Sequence, residues 1–148
     1  VSTDHVAWSE ERKTDLDMLK IASGAPGLEA MIPLFVKGAL ERGVPLTWAA
    51  KLMAENPARH FRIDHVKGAL AVGRDADIVV MTPEPYVYDA AASGNTVVGW
   101  SPYNGMRLPW RVAATYNRGD EIYAGGKVLA EPGRGRFVRP PVTRPISP

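Results

Sequence analysis

The stretch Val1-Ser2-Thr3-Asp4-His5 begins the chain, and Ser23-Gly24-Ala25-Pro26-Gly27-Leu28-Glu29 follows it after a short interval. The first is a β-prone run that ends in an acid and an imidazole, and the second is a turn that opens a helix. In α/β barrels, a strand presents catalytic groups at its carboxyl end and continues through a loop into a helix. We therefore expect one such unit here. Because it stands at the head of a chain without Met, we also expect the chain to be the end of a larger enzyme.

Further helices are predicted after this unit. Apolar residues recur at helical spacing from Leu28 to Leu40, and Gly43 supplies a stop. Thr47 is expected to cap a second helix. The dipeptide Asn56-Pro57 is expected to end that helix and to start a short third one, because Asn caps well and Pro suits the first helical position.

The second half of the chain is predicted to form strands and turns. Two hairpin-like pairs are expected, residues 68–72 with 77–81 and residues 112–116 with 121–123. The long segment 84–110 shows no clear periodicity. From Pro132 onward Pro and Gly predominate, which predicts an extended tail.

Composition excludes several classes of function. The 148 residues carry a net charge of +2 and contain no Cys, so disulfides, thiolate nucleophiles and Cys-based metal sites are ruled out. The basic tail residues are interleaved with Gly and Pro, which favours a solvated extension over a nucleic-acid arm. They are Arg134, Arg136, Arg139 and Arg144. No apolar run approaches about 18 residues, so we expect no membrane span. No signal peptide is visible, so we expect a cytoplasmic protein.

Asp4 and His5 are the first candidate site residues. A carboxylate at the end of a barrel strand can bind a divalent metal and accept a proton from water. Asp4 could instead cap a helix or pair with a Lys. His5 could orient Asp4, contact substrate or bind metal, or it could hydrogen-bond the backbone.

Ser23 and Gly24 are the second pair of candidates. Glycines let a backbone approach a ligand closely, and exposed N–H and C=O groups can pair with an amide or imide edge. The same loop could merely start a helix. The sequence contains no H-x-H or H-E-x-x-H motif. Only Asp4 can be defended as a ligand, whereas a metal needs about three or four.

Six segments, taken in order, resemble the C-terminal third of cyclic amidohydrolases, the group of dihydroorotase, allantoinase, hydantoinase and dihydropyrimidinase. The segments are residues 2–5 (Ser-Thr-Asp-His), 23–29, 56–61 (Asn-Pro-Ala-Arg-His-Phe), 67–80 (ending Asp-Ile-Val-Val), 101–106 (Ser-Pro-Tyr-Asn-Gly-Met) and 112–119. The resemblance extends to about Arg139. It implies an α/β fold, with the last strand and helices of a (β/α)8 barrel in residues 1–66. Residues 67–131 would be part of a small β-sandwich, and residues 132–148 an extended tail.

The resemblance also implies site roles. Asp4 matches the strand-eight aspartate that binds one metal of a binuclear zinc centre and acts as general base. Ser23 and Gly24 match the loop whose backbone contacts the cyclic amide or ureide, although Ser23 stands where related enzymes often carry Asn. His5 follows the metal aspartate and is grouped with the substrate-binding residues.

The remaining metal ligands of the family are absent from this sequence, and Val6-Ala7-Trp8 differs from the dihydroorotase-like pattern. We therefore predict that the chain alone neither holds the zinc pair nor hydrolyses a cyclic amide. The alternative is a non-catalytic binding or assembly module. Apolar residues on the predicted helices are expected to need a partner surface, either the missing N-terminal part or a second copy. They are Leu28, Ile32, Phe35, Val36, Leu40, Leu52 and Met53.

Overall fold

The computed structural model describes residues 1–15 and 17–141, and its first 30 residues are mostly irregular. A single 3-10 turn spans Glu10–Lys13. His5 and Ala25 form one isolated parallel bridge. The strand expected at the head of the chain therefore consists of this one bridge. The segment around Ala25 that lies beside it is too short to form a longer ladder.

The first predicted helix is confirmed as α1 (Met31–Glu41). Pro33 lies in its first turn, where the missing N–H costs least. Pro33, Val36 and Ala39 are buried. Val36 thus needs no further partner surface, whereas Leu28 and Leu40 are about half exposed.

The next helical stretch runs without a break through α2 (Thr47–Ala50), a π-turn (Lys51–Glu55) and α3 (Asn56–His60). The short third helix expected from Asn56-Pro57 is confirmed, but it continues directly from the π-turn, so the expected break before it is wrong. Thr47 makes no capping hydrogen bond. The Asn56 N–H donates to the carbonyl of Lys51, five residues back. This wider turn accommodates a proline that would clash in a regular α-helix.

Six short strands follow the helices, with the capped helix α4 (Ala90–Ser93) between the second and third. They are β1 (Ile78–Thr82), β2 (Tyr86–Val87), β3 (Arg107–Leu108), β4 (Arg111–Asn117), β5 (Asp120–Ala124) and β6 (Lys127–Val128). An antiparallel sheet has the order β1-β4-β5-β6, and β2 pairs with β3 separately. The register of β1 on β4 shifts at Val80/Met81, which marks a bulge.

One predicted hairpin is confirmed and the other is wrong. β4 and β5 pair as expected, but residues 68–72 form no strand and β1 pairs with β4 instead. Lys67 forms ion pairs with Asp75 and Asp77 at 2.8 and 2.5 Å. These contacts draw the segment between them into a turn-rich loop.

The core lies where the start of α1 meets the segment around β2 and β3. Its buried members are Ala30, Tyr88, Ala90 and Leu108, with Leu34, Tyr86, Tyr103 and Met106 packed against them. Most of these residues come from segment 84–110, in which the sequence shows no periodicity. This segment supports the loop that precedes α1.

The described part of the tail, residues 132–141, contains no helix or strand but lies against the rest of the chain. Arg134 forms an ion pair with Asp120 at 2.7 Å, and Arg62 donates to the carbonyl of Pro141. The expectation of a wholly solvated extension is therefore wrong for Arg134, while Arg144 lies outside the described residues. None of the helices described is long and apolar enough to cross a bilayer.

Candidate functional site

The structure places the segment around Asp4 and His5 beside the loop that contains Ser23 and Gly24. The N–H of Val6 donates to the carbonyl of Ala25 at 3.1 Å, next to the His5–Ala25 bridge. Backbone pairing thereby brings the two pairs of candidate residues, Asp4 with His5 and Ser23 with Gly24, into adjacent segments. We refer to residues 22–28 as the site loop.

Asp4 adopts a left-handed backbone conformation, with φ of +49°. This region costs an L-residue roughly 1–2 kcal/mol, although Asp tolerates it better than most. The Asp4 carboxylate is exposed and makes no hydrogen bond or ion pair with the described residues. Among the described residues Asp4 therefore neither caps a helix nor pairs with a Lys.

His5 holds the far end of the site loop through one ring nitrogen. Its Nδ1 accepts hydrogen bonds from the N–H groups of Gly27 and Leu28, at 3.1 and 3.2 Å. The backbone-bonding interpretation of His5 thus has direct geometric support. A contact between His5 and substrate stays a prediction.

Gly24 allows the close approach of the site loop to the segment after Asp4. Its φ is +90°, and a Cβ added there would lie 2.6 Å from Cγ2 of Val6. Any other residue at position 24 would push the two segments apart. Ser23 and Gly24 are both exposed.

Two residues that the sequence did not single out hold the near end of the site loop. Lys13 donates through Nζ to the carbonyl oxygens of Ala22 and, at 2.7 Å, of Gly24. Trp8 donates through Nε1 to the carbonyl of Ser23 at 2.9 Å. Three successive carbonyl groups are therefore satisfied by side chains of this chain.

The segment before β3 also donates hydrogen bonds to Trp8 and to the site loop. Trp100 donates through Nε1 to the carbonyl of Trp8 at 2.8 Å, and the buried Ser101 hydroxyl donates to the carbonyl of Pro26 at 3.2 Å. The sequence signal for this segment is the resemblance of residues 101–106 to the family, which assigns no role to Ser101. These contacts explain why an irregular segment belongs to the site.

A second polar cluster surrounds Glu29. Its carboxylate accepts hydrogen bonds from the Tyr88 hydroxyl, the Ser93 hydroxyl and, at 3.4 Å, the Asn95 amide. Burial and the hydrogen bond to Glu29 raise the pKa of Tyr88 well above its ordinary value. The cluster lines a groove of about 690 Å³ that extends to β4 and β5. With these three partners, Glu29 anchors segment 84–110 to the start of α1.

The described residues do not form a complete metal centre. Across residues 1–15 and 17–141, no three His, Asp or Glu side chains lie together in a way that could hold a metal ion. Asp4 could supply one ligand, but a protein metal site usually needs about three. A binuclear centre therefore does not fit this chain's residues alone.

Comparison with known proteins identifies the family. The sequence profile of the amidohydrolase family matches residues 1–128. The chain belongs to the amidohydrolase family. This amidohydrolase chain is 34% identical to a dihydroorotase of Methanosarcina acetivorans over 93% of its own length and 29% of the relative's. It is 35% identical to an allantoinase of Deinococcus radiodurans over 95% of its length and 31% of the relative's.

Solved structures agree with the sequence relatives. A D-hydantoinase aligns with a TM-score of 0.84 and 32% identity, over 93% of this amidohydrolase chain and 31% of the other. A dihydropyrimidinase of Brevibacillus agri aligns with a TM-score of 0.85 and 25% identity, over 96% of this chain and 32% of the other. The resemblance to cyclic amidohydrolases is thus confirmed. The chain spans about three tenths of the length of the relatives it matches.

Proposed function

We propose that this chain is the C-terminal part of an enzyme that hydrolyses a C–N bond of a cyclic amide or ureide. The supporting observation is Asp4, which projects a free carboxylate from left-handed backbone beside the site loop. The relatives that match over this region are named dihydroorotase, D-hydantoinase and allantoinase. Residues 1–66 would complete a barrel, and residues 67–131 would form part of a sandwich.

The proposed reaction adds water to a ring carbonyl carbon and breaks the bond from that carbon to the ring nitrogen. Asp4 accepts a proton from the attacking water and returns it to the departing nitrogen, so that one carboxylate acts as base and then as acid. The site loop orients the ring through its backbone groups. The hydrogen bond from the Val6 N–H to the carbonyl of Ala25, beside the His5–Ala25 bridge, supports this arrangement because it brings the segment around Asp4 next to the site loop.

Other parts of the proposed enzyme lie outside this chain. The family resemblance implies two zinc ions, of which Asp4 would hold one, and the remaining ligands would come from residues not present here. Apolar side chains in a groove beside α1 support association with further protein, either the rest of the enzyme or a second copy. Phe35, Trp48 and Leu52 line this groove, and Trp48 is about half exposed.

The decisive experiment uses the complete product of the reading frame that contains this chain. We expect turnover of at least one of dihydroorotate, hydantoin, dihydrouracil and allantoin. Asp4→Asn should lower kcat by about 10²–10⁴-fold, because it removes the general base. Asp64→Asn is the matched control, since Asp64 is exposed and makes no ion pair in the described parts of the chain.

Full activity in Asp4→Asn would contradict the role of Asp4. A complete product that turns over none of the four substrates would favour a non-catalytic module instead. The 148-residue chain alone is expected to show no turnover and less than stoichiometric zinc by elemental analysis.

A further inference from the structure

Asp4 lies in the middle of a short turn that a side chain closes. The hydroxyl oxygen of Thr3 accepts a hydrogen bond from the backbone N–H of His5 at 3.2 Å. A threonine oxygen that accepts from the N–H two residues later takes the place of a backbone hydrogen bond in a turn. The ring closed in this way contains the backbone of Asp4, whose φ is +49°. The left-handed conformation of Asp4 and the hydrogen bond of Thr3 are therefore parts of one local structure.

The side chain of Thr3 is suited to close this turn. It branches at Cβ and has few rotamers, so its oxygen is held near one position at a low cost in entropy. Asp can close such a turn with its own side chain, but the carboxylate of Asp4 makes no hydrogen bond with the described residues. Thr3 therefore supplies the hydrogen bond of the turn and leaves both carboxylate oxygens of Asp4 available.

His5 is held on its other side by the site loop. Its Nδ1 accepts from the N–H groups of Gly27 and Leu28, at 3.1 and 3.2 Å. Because the Asp4 side chain has no such contact with the described residues, the direction of its carboxylate depends on its backbone. Without the hydrogen bond to Thr3, that backbone can rotate toward the negative φ that an L-residue prefers. The carboxylate would then point elsewhere while His5 stays on the loop.

Building on the proposed function, we propose that Thr3 is a positioning residue that directs the carboxylate of Asp4 toward the attacking water. It does so by holding Asp4 in the left-handed conformation, and its hydroxyl touches neither substrate nor the reacting atoms. A general base must stand within hydrogen-bond reach of the proton that it accepts. A change in the direction of Asp4 therefore lowers the rate of the chemical step more than it weakens the binding of substrate.

The test compares Thr3→Val and Thr3→Ser with the wild type in the complete gene product. Valine keeps the shape of threonine but lacks the hydroxyl, whereas serine keeps the hydroxyl. One lost hydrogen bond corresponds to about a fivefold change in the equilibrium between two backbone conformations. For the cyclic amide that the product hydrolyses, we expect Thr3→Val to lower kcat by about two- to fivefold with KM changed less. Thr3→Ser should restore most of kcat.

Crystal structures of the same proteins provide a readout that does not depend on turnover. The φ of Asp4 should be positive in the wild type and in Thr3→Ser, and negative in at least part of the molecules of Thr3→Val. Thr47→Val is the matched control, because Thr47 is exposed and makes no capping hydrogen bond. This control should keep the kcat, the KM and the conformation of Asp4 found in the wild type.

Support for the inference requires both changes in Thr3→Val, a lower kcat and a rotated Asp4. A lower kcat with Asp4 unmoved, or a rotated Asp4 with full kcat, would overturn it, and so would no change at all. Loss of activity in Asp4→Asn with full activity in Thr3→Val refutes this inference and leaves the proposed function standing. A complete product that hydrolyses none of the four substrates refutes both.

Discussion

At the scale of single residues, His5 connects the two halves of the candidate site. One ring nitrogen serves two backbone donors, those of Gly27 and Leu28. Because Nδ1 is the acceptor in both contacts, a side chain that lacks an acceptor at that position leaves two N–H groups without a partner. An N–H group without a partner lowers the free energy of unfolding by about 1–3 kcal/mol when it is shielded from water, and by less when it is exposed.

The role of His5 can be separated from a substrate contact by two substitutions. His5→Asn places an amide oxygen near the position of Nδ1 and should keep hydrogen exchange at Gly27 and Leu28 close to that of the wild type. His5→Leu should accelerate exchange at both amides several-fold, as measured by NMR on the 148-residue chain. If both variants exchange alike, His5 does not hold the loop.

The identity of these residues was more predictable than their contacts. Asp4, His5, Ser23 and Gly24 could be selected as candidates because residue type and order carry the signal. Trp8 and Lys13 were not, because their partners are backbone carbonyl groups distant in sequence. A main-chain partner leaves no trace in the pattern of residue types.

At the scale of secondary-structure elements, the sequence correctly predicted the helix and the hairpin that depend on interactions between residues close together in the chain. The spacing of apolar residues located α1, and the turn Asn117–Asp120 located the hairpin of β4 and β5. Residues 68–72 were wrongly predicted to form a strand, because an apolar run beside a turn has the same pattern as a strand. The loop conformation there depends on Lys67 and on its packing against the helix that ends at His60.

Gly68 packs directly against that helix. A Cβ at this position would lie 2.5 Å from Cβ of Ala58 and 3.0 Å from the carbonyl oxygen of Ala54, and its φ is +85°. Gly73 has nearly the same φ, +87°, but open space around it. Gly73→Ala therefore measures the backbone cost alone, and Gly68→Ala measures that cost together with the clash.

We expect Gly73→Ala to lower the free energy of unfolding by about 1–2 kcal/mol. Gly68→Ala should lower it by a further 1–3 kcal/mol or so, because the loop or the helix must shift. Urea unfolding of both variants at neutral pH gives the comparison. Equal losses in the two variants would show that the loop does not lie against the helix.

At the scale of the whole molecule, Asp77 joins the helical half to the sheet. Its carboxylate pairs with Lys67 and accepts from the Asn117 side chain and from the Arg118 N–H, at 2.9 and 2.8 Å. Burial alone would raise the pKa of Asp77, but hydrogen bonds from Lys67 and Arg118 outweigh it and hold the pKa below its usual range. Burial likewise opposes the charge of Lys67, yet Asp75 and Asp77 keep its pKa raised.

These opposite shifts predict how stability depends on pH. A lowered pKa for Asp77 stabilises the fold above its unfolded pKa of about 3.9, and this contribution is lost as pH falls through the folded value. A raised pKa for Lys67 stabilises the fold below about pH 10.4, and its contribution is lost as pH rises through the folded value. The contributions of Asp77 and Lys67 to the free energy of unfolding should therefore both be present between about pH 4 and pH 10.

Asp77→Asn tests the acid side of this pH range. The variant keeps an acceptor for the Arg118 N–H but removes the charge that faces Lys67. The Asp77 side chain is 36% exposed. Solvent screening therefore limits the expected loss at neutral pH to about 1 kcal/mol.

Below about pH 4 the variant should lose stability less steeply than the wild type, because position 77 no longer takes up a proton on unfolding. Asp64→Asn, measured by urea unfolding over the same pH range, should follow the wild-type curve. Parallel curves for Asp77→Asn and the wild type on the acid side would mean that Asp77 does not join the helices to the sheet through its charge.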